Sequence, residues 1–164
     1  MGLPTGLPGV RTTLKHMAAL VKAYKVDPGV RELSQDLTRH LASYDRSGEI
    51  GALHRFCRDQ IRYVGDVESV ETLQTPVYTL EKGSGDCDDK AVLLNTLLAS
   101  IGYQTLFFAM GMNGEFYSHV TAGVRLGTRT LVLETIVPQG SLGPGSGEPG
   151  WLPPEADPIL PWNV

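Results

Sequence analysis

Cysteine is scarce in this chain, and its scarcity sets the first constraint. The two cysteines among 164 residues, Cys57 and Cys87, have unlike surroundings and make no disulfide framework, and their separation matches no zinc-ligand spacing. Positive charge is not in excess either. Fourteen Lys and Arg against eighteen Asp and Glu leave a net charge of −4, and no arginine-rich run appears, which argues against a nucleic-acid partner. No apolar run approaches the length that spans a bilayer, and the opening segment MGLPTGLPGVRTTLKHM lacks the charged stretch followed by an apolar one that marks a secretory signal. Cytoplasmic synthesis and no membrane partner are therefore expected. Internal repeats are missing as well. What remains is an ordinary globular composition, 41% hydrophobic and 20% charged, at a length suited to one domain that builds a core without disulfide or metal support.

Along the chain, residues 1–10 are rich in Gly and Pro and read as an extended arm. A first helix is predicted from Thr12 or Thr13 to about Tyr24, with Leu14, Met17, Ala18 and Val21 on one face. A second runs from about Gly29 to Tyr44 and a third from about Gly48 to Tyr63, the third carrying Ile50, Leu53, Phe56, Cys57 and Ile61. Cys57 lies in that apolar stripe and reads as a small buried hydrophobe. Thr75 and Pro76 should start a short helical turn, since proline is favoured at the first helical position. After Gly102 the pattern changes. Tyr103 to Met110, Tyr117 to Leu126 and Thr130 to Val137 are rich in β-branched and aromatic residues and are separated by glycine turns. Helices followed by a short antiparallel meander make an α+β fold. The domain is expected to span 11–137, and 138–164 to form a Pro/Gly-rich tail with little regular structure, whose Trp151 and Trp162 suit packing on the domain or on a partner.

The chemistry concentrates at GSGDCDDKAVLLNTLLASI, Gly83 to Ile101. Asp86 is a good N-cap and Asp89, three residues on, completes a capping box, so a largely apolar helix should begin at Cys87. Unpaired N–H groups and the helix dipole favour a thiolate there, while Asp86, Asp88 and Asp89 oppose it. A nucleophilic thiol needs a base, and the base needs a third group to orient it. His16, His40 and His54 fall in amphipathic helices and read as surface or boundary residues. His119 instead opens HVTAGVRL, and the following segment TLVLETIV holds one charged residue, Glu134. If the two strands pair across the turn at Gly127, the imidazole and carboxylate come close to being cross-strand neighbours. Singly, His119 could be a satisfied core histidine and Glu134 a solvent-facing edge residue. Together with Cys87 they make a candidate triad.

The segment GDCDDKAVLLNTLLASIGY resembles the cysteine motif of the transglutaminase-like superfamily, and QTPVYTLEKGSGDC is similar to bacterial transglutaminase-like cysteine proteinases and to phage and prophage members. The resemblance implies a papain-like core with the central helix opening at Cys87, and a histidine and an acidic residue on adjacent strands, at positions that His119 and Glu134 match. It departs from the family in having Glu134 where aspartate is usual. It also implies Gln74 as a side-chain oxyanion donor beside the N–H of Cys87. No cofactor is required; some similar proteinases bind calcium beside the motif, for which Asp86, Asp88 and Asp89 would be the ligands, although helix capping accounts for the same three residues. The activity implied is cysteine-dependent acyl transfer on a peptide or protein substrate, as a peptidase, amidase or transglutaminase. The alternative is a structural phage or prophage component, a tail or virion protein docking on other virion proteins through its arm and tail.

Overall fold

A computed structural model describes residues 7–65, 72–110, 119–136, 150–151 and 159–164. Helix α1 (Leu7–Tyr24) starts earlier than the sequence predicts. Pro8 is tolerated because the first turn needs no N–H donors, and the Thr12 and Thr13 hydroxyls bond back to the carbonyls of Pro8 and Gly9 at 3.0 and 3.2 Å. Residues 7–10 are thus helix rather than arm, and the rest of the expected arm lies outside the described residues. Helix α2 (Pro28–Thr38) is capped by Asp27, whose carboxylate accepts the Val30 N–H at 3.0 Å. It stops short of the expected end at Tyr44. Tyr44 has a φ of 64°, which a right-handed helix cannot contain, and Asp45 already caps the next helix, α3 (Arg46–Gln60), by accepting the Gly48 N–H at 2.9 Å.

The chain leaves α3 through a two-residue strand, β1 (Arg62–Tyr63), where the sequence predicts continued helix. Helix α4 (Pro76–Lys82) follows its Thr75 cap as expected and ends at Gly83, whose left-handed φ of 65° suits glycine. Strand β2 (Ser84–Gly85) pairs in parallel with β1, Arg62 opposite Ser84 and Tyr63 opposite Gly85. Helix α5 (Cys87–Ser100) starts at the next residue but one, with the predicted Asp86 cap and the Asp86–Asp89 capping box both formed.

Strands β3 (Gln104–Met110), β4 (His119–Leu126) and β5 (Arg129–Leu133) form the expected antiparallel meander. The β4–β5 turn uses Gly127 at a φ of 61°. Two further strands correct the reading of the tail. β6 (Gly150–Trp151) pairs with β5 and β7 (Ile159–Asn163) pairs with β3, giving the order β6-β5-β4-β3-β7, every neighbour antiparallel. Pro161 is accommodated because β7 is an edge strand and need not donate on its outer side.

Helix α5 is the centre of the molecule. All residues from Asp89 to Leu98 are buried, with α1, α2, α3 and α4 packed around one side and β3 and β4 on the other. Leu93, Leu94, Leu97 and Leu98 are fully buried, each contributing about 1.5–3 kcal/mol from desolvation. Hydrogen bonds tie this helix to its neighbours: Asn95 Nδ2 donates to the Leu106 carbonyl of β3 at 2.9 Å, and the Ser34 hydroxyl of α2 donates to the Leu97 carbonyl at 3.1 Å. Opposite α5, Phe108 lies across Gly123, where a Cβ would come within 2.4 Å of its ring.

Candidate functional site

Cys87 is the first residue of α5, and its position follows from the cap. The Asp86 carboxylate accepts the Asp89 N–H at 3.0 Å and the Asp86 carbonyl accepts the Lys90 N–H at 3.1 Å, so the amide of Cys87 lies in the first turn, where N–H groups have no partner within the helix. The thiol is half-buried. Its Sγ–H donates to Asp88 Oδ1 at 3.4 Å, and the backbone of Val120, the residue after His119, acts on the sulfur from the sheet.

His119 opens β4 and Glu134 follows the last residue of β5. With Ala122 opposite Leu133, the two side chains are diagonal rather than directly opposed, a spacing that long side chains bridge. His119 Nε2 lies 2.5 Å from Glu134 Oε2, and the second carboxylate oxygen accepts the Ile136 N–H at 2.8 Å. A carboxylate only accepts, so the proton of this pair sits on Nε2 and the other ring nitrogen, Nδ1, is left to act as a base.

Two side chains behind this pair were not anticipated. His54 is fully buried on α3, against its reading as a surface or boundary residue, and its Nε2–H donates to the backbone carbonyl of Glu134 at 2.5 Å. Lys90, one turn along α5 from Cys87, is also buried; its Nζ donates to the carbonyls of Ile61 at 2.7 Å and Arg58 at 3.3 Å, closing the end of α3. A signal for His54 was present. It sits four residues after Ile50 and three before Cys57, on the apolar stripe itself. His16 and His40 are exposed, and Cys57 is fully buried as the sequence predicts.

Gln74 is drawn into the base of the helix. Its backbone N–H and its side-chain Nε2 donate to the two carboxylate oxygens of Asp89 at 2.8 and 2.6 Å. The amide group named as an oxyanion donor is thus bonded to a buried carboxylate. Asp86 and Asp89 cap the helix and hold Gln74, Asp88 accepts from Cys87, and among the described residues no group of three or more His, Cys, Asp or Glu side chains is placed to hold a metal ion.

The electrostatics set the Cys87 thiol and the His119 imidazole apart. Burial, then the Asp88 charge, hold the Cys87 thiol well above the ordinary thiol range, and the Asp86 charge adds to them; the Val120 backbone opposes. These influences disfavour the thiolate. For His119, burial works against the charged ring, but the Glu134 hydrogen bond and charge, with the Asp88 charge, outweigh it and raise the imidazole above its ordinary value. Cys57 is pushed up to about 12 by burial, Lys90 opposing. A separate cleft of about 450 Å³, lined by residues including Lys25, Thr105 and Arg125, lies at the far end of α5, beside Ala99 and Gly102, and contains none of these groups.

Residues 31–130 match the family model of the transglutaminase-like superfamily. The match takes in more than half of the chain, Cys87 and His119 included, and the chain belongs to this superfamily. Glu134 lies just beyond the matched region. Among solved structures, the fold is similar to the crystal structure of a candidate protease from Parabacteroides distasonis ATCC 8503, with a TM-score of 0.56 and 15% identity over 76% of this chain. The chain spans about a quarter of that protein, 26% of its length. Among curated proteins none matches the sequence. No helix among the described residues is long and apolar enough to cross a membrane.

Proposed function

We propose that the protein is a cysteine-dependent acyl-transfer enzyme acting on peptide or carboxamide bonds of a protein substrate, with Cys87 as nucleophile, His119 as base and Glu134 as the group that orients the base. The observation that carries this reading is the 2.5 Å His119–Glu134 bond, made at the start of β4 and just past the end of β5, in the sheet that packs against α5, while Cys87 opens that helix. The thiol passes its proton to Nδ1 of His119 as the sulfur attacks the carbonyl carbon. The Cys87 N–H meets the developing oxyanion, with Gln74 as the second donor if its amide turns from Asp89. His119 then returns the proton to the departing nitrogen, leaving a thioester. Water or an amine attacks the thioester, His119 takes that nucleophile's proton, and the thiol is regenerated. Water yields hydrolysis and an amine yields a new amide bond.

One observation favours a second reading, a scaffold without turnover such as a structural part of a phage particle: the Asp88 carboxylate lies 3.4 Å from Sγ, where its charge disfavours the thiolate. Incubation with dimethylated casein and monodansylcadaverine separates the two. Amine incorporation or casein cleavage that disappears in Cys87→Ala and in His119→Ala supports the enzyme. Alkylation adds a readout independent of substrate: iodoacetamide should modify Cys87 of the native protein faster than Cys87 of His119→Ala. Equal rates in the two, together with casein left intact and unlabelled, would refute catalysis through this pair.

A further inference from the structure

We infer that His54 is a positioning residue, holding the backbone of Glu134 from behind so that the Glu134 carboxylate meets the ring of His119. The inference rests on the proposed Cys87–His119–Glu134 reading and adds a member to it from a different element. Glu134 stands one residue past the end of β5, where the ladder to β4 has stopped at Leu133, so sheet hydrogen bonds do not fix its main chain. Three other bonds do the fixing. Its Oε2 is held by His119, its Oε1 by the Ile136 N–H at 2.8 Å, and its carbonyl oxygen by His54 Nε2 at 2.5 Å. The first two are local to the sheet. The third comes from a residue eighty positions earlier in the chain, on a helix of the opposite layer.

The chemistry of the tether is well suited to this task. A carbonyl only accepts, so His54 carries its proton on Nε2, and the ring is fully buried in the row between Ile50 and Cys57, where it has little freedom to swing. A polar side chain in that row would be costly without its bond to Glu134. The groups facing His119 are Glu134 and, from α5, Asp88; those facing Glu134 are His119, His54 from α3 and, through its charge, Lys90 from α5. Loss of the His54 tether frees the Glu134 main chain, and a carboxylate that strays from the ring no longer supports the protonated imidazole.

The test reads His119 directly by its proton NMR titration in the full chain. Glu134→Gln should bring the His119 midpoint down, toward the ordinary imidazole range. His54→Leu should bring it down similarly. His54→Gln, whose amide nitrogen reaches the place of the imidazole Nε2, should keep the midpoint raised, whereas His54→Asn, one methylene shorter, should lose it. Folding of each variant is checked by circular dichroism. A folded His54→Leu with the wild-type midpoint overturns the inference. If His54→Leu does not fold, the Gln and Asn variants decide: the inference stands only if Gln retains the midpoint and Asn does not. If Glu134→Gln itself leaves His119 unmoved, the triad reading fails, whatever the His54 variants do.

Discussion

Burial and neighbouring carboxylates raise the Cys87 thiol above its ordinary range, and Asp88→Asn measures how much of that belongs to one charge. Asp88 Oδ1 lies 3.4 Å from Sγ. At that distance a unit charge opposes ionisation by about 1 kcal/mol in a medium like water and about 5 kcal/mol at an effective dielectric of roughly 20. Asp88 is itself only partly buried, so screening favours the low end, about 1–2 kcal/mol, which is roughly 5- to 30-fold in thiolate at fixed pH. A more acidic thiol is also a weaker nucleophile, with a Brønsted coefficient of about 0.4–0.5, so the alkylation rate should rise by roughly 2- to 6-fold. Asp88 also raises His119, so its removal makes the imidazole a weaker acceptor of the thiol's proton, which offsets part of this gain. The assay is the iodoacetamide rate at Cys87 between pH 7 and 9, followed by mass spectrometry of the modified peptide; Cys57, fully buried and poorly ionised, should contribute no signal until unfolding. A folded variant whose Cys87 reacts no faster than wild type would refute the account of Asp88 as the charge that quiets the thiol.

Other expectations follow from the same coordinates. Asp86→Ala removes the cap that accepts the Asp89 N–H and should cost about 1–2 kcal/mol, read as a lower melting temperature in calorimetry. Leu97→Ala opens a cavity at a fully buried position of α5 and should cost about 2–5 kcal/mol, lowering the urea midpoint with an unchanged m-value. His119 has a raised value in the fold; its pairing therefore stabilises fully below the unfolded imidazole value of about 6.5, and the stabilisation is lost as pH rises through the folded value. The stability difference between wild type and His119→Asn should accordingly be greater near pH 6 than near pH 9 in paired urea titrations, and a difference that grows with pH would contradict this sign. For catalysis the direction is opposite, because the base must be neutral: the acid limb of any activity should lie above the ordinary imidazole value.

The parts of this fold that the sequence disclosed are those written in neighbouring residues. The start of α5 was legible because a cap, its reciprocal carboxylate and the first apolar turn all fall within a few positions of Cys87. The meander was legible because its turn glycine and alternating strands lie side by side. The rest depends on partners remote in sequence. β7 contains a proline and pairs with β3 across some fifty intervening positions, so nothing local marks it as a strand, and β1 and β2 are two residues each, too short for any period. Helix α2 was overextended because Leu41 continues its spacing while the backbone turns at Tyr44. The burial of His54 is legible in its place on the apolar row of α3, but its bonding is not, because its acceptor is a main-chain oxygen, which has no signature in a sequence.

The edge partner of β3 arrives late during synthesis. β3 ends at Met110, and the strand that closes its free side ends at Asn163, so at bacterial and eukaryotic elongation rates of about 5–20 residues per second the gap is about 3–10 s. The cysteine helix has already been made when that interval opens, and the strand bearing His119 is made within it. Until then the backbone groups on that side of β3 lack the sheet partner they have in the finished fold.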